Sequence, residues 1–475
     1  MSIFVNMAVI EEIVHLNIHN IDFGDEAINE LIRKLLNVIE LQAQVIQQLK
    51  IENQQLKDEV ARLKDAKGKP KIAPNVPPRE QNRPLKEKSK NWSKGSKNSK
   101  IKIDRTVSLE IEPDILPPDA EFLGYEPVII QNIKLQTENI EYRRAHFYSK
   151  SLDKHYYAEL PKEVHGTQFG SDLKALIAML YYLGRVTENR IHSILTDFGI
   201  FISEGEISNI LTKDKSDVFS VEKANIFEVG MRRASYFQTD STGARHLGRN
   251  CDMHYYGNEE FSTYFIEKNR KRETIRKDIG LMDGVLIPTP MVTDSARQYD
   301  GIACHHGHCW LHEIRNYTKM KPYLDYHRSI LEKFITSLWE FYNLLKKYES
   351  RPNIDLRREI EQRFESLFTL TTGYFELDKR IASTYKDRDK LLLVLDFPDI
   401  PLHNNGSEIA VREGVLKRKI SYGTRSELGK AAWENMLSIL DTCRKQKVSF
   451  FMYIKDIYSN SFSMPRLADM IPKAG

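Results

Sequence analysis

Cysteine is scarce in this chain: four in 475 residues, at positions 251, 304, 309 and 443, which excludes the dense disulfide framework of a small secreted protein. Long apolar runs are missing too. The greasiest stretch, residues 175–183, is too short to cross a bilayer, and the N-terminal residues carry Glu11 and Glu12 without the basic flank of a targeting segment. A reducing, cytoplasmic setting is the expectation. Net charge is also small, because 70 Lys and Arg face 66 Asp and Glu, leaving +4. The imbalance is local instead. Residues 64–105 hold 14 basic against 4 acidic side chains, a local +10, so the remainder of the chain sums to −6.

What is present suffices for folding. With 41% hydrophobic and 10% aromatic residues, several cores can be buried, and a chain this long divides into about three domains. Residues 28–63 repeat in heptads: Ile32, Ile39, Ile46, Asn53 and Val60 share one seam position, and Ile28, Leu35, Gln42, Leu49, Leu56 and Leu63 the other. β-Branched residues at the first position, Leu at the second and a lone Asn predict a parallel two-stranded coil, hence a homodimer or a higher even assembly. An amphipathic helix packed on its own protein is the alternative. The Pro-, Lys-, Ser- and Asn-rich stretch that follows, with Trp92, reads as a flexible basic linker able to track phosphates or simply to space domains.

Past the linker, alternating segments such as residues 128–135 and 142–148 predict a small β-rich module. Residues 169–214 then read as three short helices, with Leu173, Leu176, Ile177 and Leu180 on one face. Thr187 opens one helix, Gly199 allows a turn and Ser203 caps the next. That is a helix-turn-helix pattern in which Glu206, Ser208 and Asn209 would face a DNA groove, although a plain helical connector fits the same residues.

Three carboxylates stand out by position. Asp240 and Asp294 each close an apolar, strand-like run, and Glu408 lies in the first turns of a helix. Singly, each is an ordinary turn or helix residue. Together, in this order, they match an RNase H-like sheet whose acids hold two divalent cations, Mg²⁺ or Mn²⁺, for phosphoryl transfer. Helical periodicity over residues 322–347, 354–367 and 375–393 predicts an α-helical insertion between the last two acids. Arg412, Lys417, Arg418, Lys419 and Arg425 follow Glu408 as candidate phosphate contacts. Cys304, His308, Cys309 and His312 form a compact set of soft ligands, so a structural metal competes with simple packing there.

These residues resemble a known family. Gln238-Thr239-Asp240-Ser241-Thr242-Gly243, Val292-Thr293-Asp294, Cys309-Trp310-Leu311-His312 and Asn404-Asn405-Gly406-Ser407-Glu408-Ile409-Ala410-Val411-Arg412 look like the signature of insertion-sequence 66 transposases. The resemblance implies a bacterial, nucleoid-associated DDE enzyme that cuts double-stranded DNA at terminal inverted repeats and joins the 3′ hydroxyl to target DNA. Asp240, Asp294 and Glu408 would be its Mg²⁺-binding triad, Arg412 would touch phosphate, and accessory transposition proteins would be partners. The chain departs from the pattern where Ser241 replaces the usual Glu, where Lys417-Arg418-Lys419-Ile420-Ser421 replaces Gly-Arg-Lys-Asn-Trp, and where residues 63–250 lack the usual zinc-binding cysteines. A non-catalytic DNA-binding regulator or architectural protein derived from a transposase is the alternative function.

The expected fold is a multidomain α/β chain. An N-terminal segment (1–27) precedes the coiled coil (28–66), the linker (67–105), the β-rich module (106–165) and the helix-turn-helix region (166–225). The RNase H-like core follows in two parts (226–316 and 401–458) around the helical insertion (317–400), and a tail (459–475) ends the chain.

Overall fold

The computed structural model describes residues 26–63, 101–109, 111, 122, 124–126, 128–133, 136–161 and 168–473. The N-terminal segment before residue 26 and most of the basic linker, Trp92 included, lie outside them. The chain divides into two compact units, residues 54–140 and the remainder. The smaller holds the last turns of helix α1 (Glu26–Leu63) and irregular chain. Its described residues from 101 to 140 form no strand, and Val128 and Ile130 are 82% and 84% exposed. Alternation makes a strand only where a neighbour supplies hydrogen bonds and an apolar face. Among the described residues of the expected β-rich module, the strands present are those of one exposed hairpin in the larger unit, β1 (His146–Ser149) with β2 (Lys154–Tyr157).

The larger unit is a mixed α/β structure built on a five-stranded sheet. Helices α2 (Ser171–Ala178), α3 (Glu188–Asp197), α4 (Glu204–Thr212) and α5 (Ser216–Arg233) lead into it. The Ser203 side chain accepts the Glu206 N–H, so the helix after the Gly199 turn starts at a side-chain cap. Strands β3 (Phe237–His246), β4 (Arg249–Gly257) and β5 (Ser262–Glu267) form an antiparallel meander. Helix α6 (Arg272–Asp278) then carries the chain towards β6 (Met291–Thr293) and β7 (His306–His308). These two short strands add in parallel on the other side of β3, giving the order β5-β4-β3-β6-β7.

Helices α7 (Trp310–Thr318), α8 (Asp325–Ser350), α9 (Ile354–Phe368), α10 (Phe375–Lys386) and α11 (Arg388–Leu391) fill the interval before the third acid. Helix α12 (Asn405–Ser421) then returns to the sheet, and α13 (Glu427–Lys445), α14 (Phe450–Tyr458) and α15 (Leu467–Met470) complete the unit. Two large apolar cores result. One joins α2 to α5, the sheet residues Met253, Tyr255 and Tyr264, and α13 to α15, so the helix-turn-helix residues share a core with the sheet. The other joins Val292 and Trp310 to the helices of the insertion.

Helix α1 meets the insertion through Leu36, Glu40 and Ala43, all buried. The Glu40 carboxylate accepts the backbone N–H groups of Tyr323 and Leu324 at 2.5 and 2.9 Å, satisfying donors at the start of α8, and lies 3.3 Å from His327 Nδ1. Asn37 likewise donates to Gly373 O and accepts from Phe375 N at the start of α10. The heptad residues Ile28, Leu35, Ile46 and Leu49 point elsewhere and stay exposed, while Ile32 and Ile39 are half-buried. Packing on the chain itself therefore uses a different stripe from the predicted seam.

Candidate active site

Side chains alternate along a strand, so Gln238, Asp240 and Thr242 share one face of β3. Helix α12 lies on that face at close range. A Cβ on Gly406 would come within 2.7 Å of Gln238 Oε1, and one on Gly414 within 3.2 Å of Thr242 Cγ2, so neither position has room for a side chain. Parallel pairing of Gln238 with Val292 sets the second acid, because continuing that register brings Asp294 beside Asp240. Glu408 sits in the first turn of α12.

The electrostatics register this convergence. Burial is the main reason the Asp240 carboxyl is pushed up to about 6; the Ser241 N–H pulls against the rise, and the charges of Asp294 and Glu408 add to it. Asp294 accepts the N–H of Ala296, closing the turn after β6. Glu408 Oε1 lies 3.4 Å from His312 Nε2, yet this oxygen is buried with no hydrogen-bond partner, as is His312 Nδ1. Buried oxygens are normally paired, so an orphan here leaves a lone pair available to a cation.

A clamp behind the acids fixes α12. The Gln238 amide donates to His403 O at 2.9 Å and accepts from Ser407 N at 3.2 Å. Cys309 Sγ accepts the Asn404 N–H at 3.4 Å, while its own N–H donates to Thr293 O, linking the strand of the second acid to the helix of the third. Replacing Gln238 by Ala would leave Ser407 N and His403 O unpaired and free the start of α12. We expect that variant to lose about 1–3 kcal/mol of stability, read from its denaturant midpoint, with the far-ultraviolet circular dichroism unchanged. An unaltered midpoint would show that the clamp does not hold the start of α12.

A family model described as "Transposase IS66 family" matches residues 166–432, a span that includes all three acids and the clamp. The chain belongs to the IS66 transposase family. An uncharacterized protein of Sinorhizobium fredii, y4jO, is 39% identical over 173 residues, which make up 36% of this chain and 53% of that protein. The chain thus spans about half the length of the curated relative it matches.

Around the acids of this IS66 family member, the basic residues after Glu408 divide into two groups. Arg412, Lys419 and Arg425 are exposed. Lys417 instead turns into a cavity of about 590 Å³ lined also by Tyr181, Glu204 and Ser208. There its ammonium donates to Tyr181 Oη at 2.6 Å and lies 4.5 Å over the same ring, and burial lowers it to about 8. Arg418 donates to Gly243 O at 2.6 Å, so it braces the first-acid strand. Glu206, Ser208 and Asn209 on α4 are half-buried, and the Asn209 amide donates to the Glu206 carboxylate at 3.3 Å.

Cys304, His308, Cys309 and His312, for which the sequence leaves a structural metal and simple packing both open, do not form a ligand cluster among the described residues. Cys304 is exposed, Cys309 is engaged with Asn404, His312 faces Glu408, and His308 points to Asp387 at 4.0 Å. Closeness in sequence failed because His306 and His308 share one face of β7, whereas the start of α7 sets Cys309 against Asn404 and His312 against Glu408. Gln238 and His312 are the contributors to this site that the sequence reading left out or assigned elsewhere. The Cys-x-x-His spacing on a helix start was the available signal for His312.

Among the described residues no helix is long and apolar enough to cross a membrane.

Proposed function

We propose that this chain is a DDE transposase that binds the ends of a DNA element, cleaves strands there and joins them to target DNA. The observation that carries this reading is the convergence of Asp240, Asp294 and Glu408, with a raised Asp240 carboxyl and an orphaned Glu408 oxygen. We read the sheet order, three antiparallel strands continued by two parallel ones, as an RNase H-like core interrupted by a helical insertion.

The donor set suits hard divalent cations, since carboxylate oxygens are the ligands Mg²⁺ and Mn²⁺ prefer. A pair of such ions, held by Asp240, Asp294 and Glu408, would supply an activated oxygen nucleophile and stabilisation of the leaving oxygen. The chain's own residues do the positioning. Asp240 feels the charges of both other acids, Gln238 and Cys309 hold the start of α12, and His312 lies 3.4 Å from Glu408. Arg412, Lys419 and Arg425 offer exposed phosphate contacts, with Lys417 and Arg418 shaping the surface between them. Glu206, Ser208 and Asn209 on the helix-turn-helix contribute to DNA-end binding. The exposed seam of α1 pairs with a second copy as a parallel coil, so that two DNA ends are held by one assembly. Accessory transposition proteins and a nucleoid location belong to the same reading.

The test is divalent-metal-dependent cleavage and strand transfer on a labelled duplex carrying the DNA that flanks this gene, with Asp294→Asn as control. Products that require the metal and vanish in the variant are expected. Retarded DNA with a steep salt dependence but no product would favour the non-catalytic binding protein.

A further inference from the structure

Away from the three acids, strand β7 carries two histidines, His306 and His308, that the proposed reaction does not use. Positions two apart on a strand share a face, and here their rings lie 4.9 Å apart. Gly307 between them faces the opposite way, where a Cβ would stand 3.4 Å from Leu393. Asp300, just after the turn Arg297–Tyr299, completes a set: each of the three residues brings one ligand atom to within 4.8 Å of the other two.

The hydrogen-bond chain decides which histidine nitrogen is free. The Thr293 hydroxyl donates to Asp294 O at 2.5 Å, so its oxygen must accept from His306 Nε2–H at 2.8 Å. His306 Nδ1 is then unprotonated, and it faces Asp300 Oδ1 at 3.8 Å. Two acceptors aimed at one another call for a cation. A lysine ammonium already answers part of that call, since Lys390 Nζ reaches Asp300 Oδ1 at 2.7 Å. On the far side, Asp387 Oδ2 lies 4.0 Å from His308 Nδ1.

We propose that Asp300, His306 and His308, with Asp387 as fourth ligand, form a binding site for a first-row transition-metal ion of the Zn²⁺ class, separate from the Mg²⁺ acids. Two imidazoles and two carboxylates are a donor set that suits Zn²⁺ in tetrahedral geometry. With Zn–N and Zn–O bonds near 2.0–2.1 Å, donors of one ion stand ~3.4 Å apart. The 3.8 and 4.0 Å separations close by a few tenths of an ångström, the wider spacings of the three-residue cluster, up to 4.8 Å, by as much as about 1.4 Å, and Asp387, which lies outside that cluster, has further to move. Thr293 provides the outer hydrogen bond that orients His306, the support metal-binding imidazoles usually have. An entry path exists through a cavity of about 600 Å³ lined by Asp300, Cys304, His306 and Lys390. Lys390 is part-exposed and can withdraw into it.

The ion would have a structural consequence for the proposed site. Asp387 is the N-cap of α11 and Lys390 lies within that helix, towards the end of the insertion, whereas His306 bonds to the residue preceding Asp294. A bound ion would pin the insertion to the strand that carries the second acid.

The experiment is metal titration of the full chain after chelation and removal of the chelator, using Zn²⁺ for stoichiometry and Co²⁺ for its visible absorption. One tightly held ion per chain with a tetrahedral Co²⁺ spectrum is expected. It should disappear in the His306→Ala/His308→Ala double variant and persist in an Asp240→Asn/Asp294→Asn/Glu408→Gln triple variant. Lys390→Met removes the competing cation, and we expect it to tighten Zn²⁺ binding by about tenfold or more. Failure of both the parent chain and Lys390→Met to hold an ion would overturn the proposal, as would retention of that ion by the double histidine variant.

Discussion

Replacing Asp240 by Asn is expected to reduce the proposed strand cleavage by ~1,000-fold or more, because loss of the proposed shared metal ligand would remove several kcal/mol of transition-state stabilisation. DNA binding should survive, since the carboxylate contributes no attraction to phosphate. Cleavage at an undiminished rate would remove Asp240 from the proposed triad. The same variant has a thermodynamic signature that does not depend on activity. The unfolded chain releases this proton near 3.8 and the folded chain only near 6, so the folded state binds it more tightly. Its contribution to stability is complete below the lower value and lost as pH rises through the higher one. In metal-free buffer at pH 7.5, Asp240→Asn should therefore melt at or above the temperature of the parent chain, and the difference should vanish below about pH 4. Added Mg²⁺ should reverse the order, raising the melting temperature of the parent chain and not of the variant. A variant that melts well below the parent under metal-free conditions would contradict the view that the carboxylate is held at a cost.

Trp310→Ala should cost about 3–5 kcal/mol of stability, the usual cost of removing a buried aromatic side chain. Trp310 is 1% exposed and sits where the core sheet meets the insertion. Its indole N–H donates to Leu391 O at 2.8 Å, its backbone N–H donates to Leu402 O, and its ring packs 5.4 Å from that of Phe341. Trp310→Phe keeps most of the apolar contact and leaves one buried carbonyl unpaired, a smaller loss of about 1–3 kcal/mol. Denaturant midpoints for the two variants would measure the split. A shift under about 1 kcal/mol for Trp310→Ala would mean that insertion and sheet are not one cooperative core. Because Cys309 and His312 flank this residue in the same helix start, the variant should also lose activity in proportion to its unfolding.

The elements whose spans could be read from sequence are those set by neighbours along the chain. Helix α9 begins where Asn353 accepts the Leu356 N–H, and α4 where Ser203 accepts that of Glu206. Both signals operate within one helical turn, so they need no knowledge of the fold. The apolar periodicity of residues 322–347 becomes α8 for a similar reason: its stripe of Leu331, Phe334, Leu338, Phe341 and Leu345 is buried whichever surface receives it. The strand-like runs before Asp240 and Asp294 are visible in the same way, because alternating or fully apolar segments need only some sheet to join.

Residues 128–133 mark the limit of that logic, since the same alternation without a partner strand stays irregular and exposed. Heptad spacing in α1 had a further ambiguity. Leu36, Glu40 and Ala43 lie between the two seam positions, and only the backbone donors at the start of α8 show why a glutamate is buried there.

By itself, then, the sequence determined the capped helices and the strand runs before Asp240 and Asp294, because these rest on signals a few residues apart, together with the order of the three carboxylates and the resemblance to IS66 transposases. The tertiary structure decided the rest. The parallel register of Gln238 with Val292 sets Asp294 beside Asp240, and the Gln238 clamp delivers Glu408 on the same face. It also divided a run of adjacent Cys and His residues, sending His312 to the third acid and His306 and His308 to Asp300. The physical reason is that a side chain's direction depends on its strand or helix phase, whereas its partner depends on which elements pair, from Val292 for Gln238 in the sheet to Ser407, 169 positions away, in the clamp.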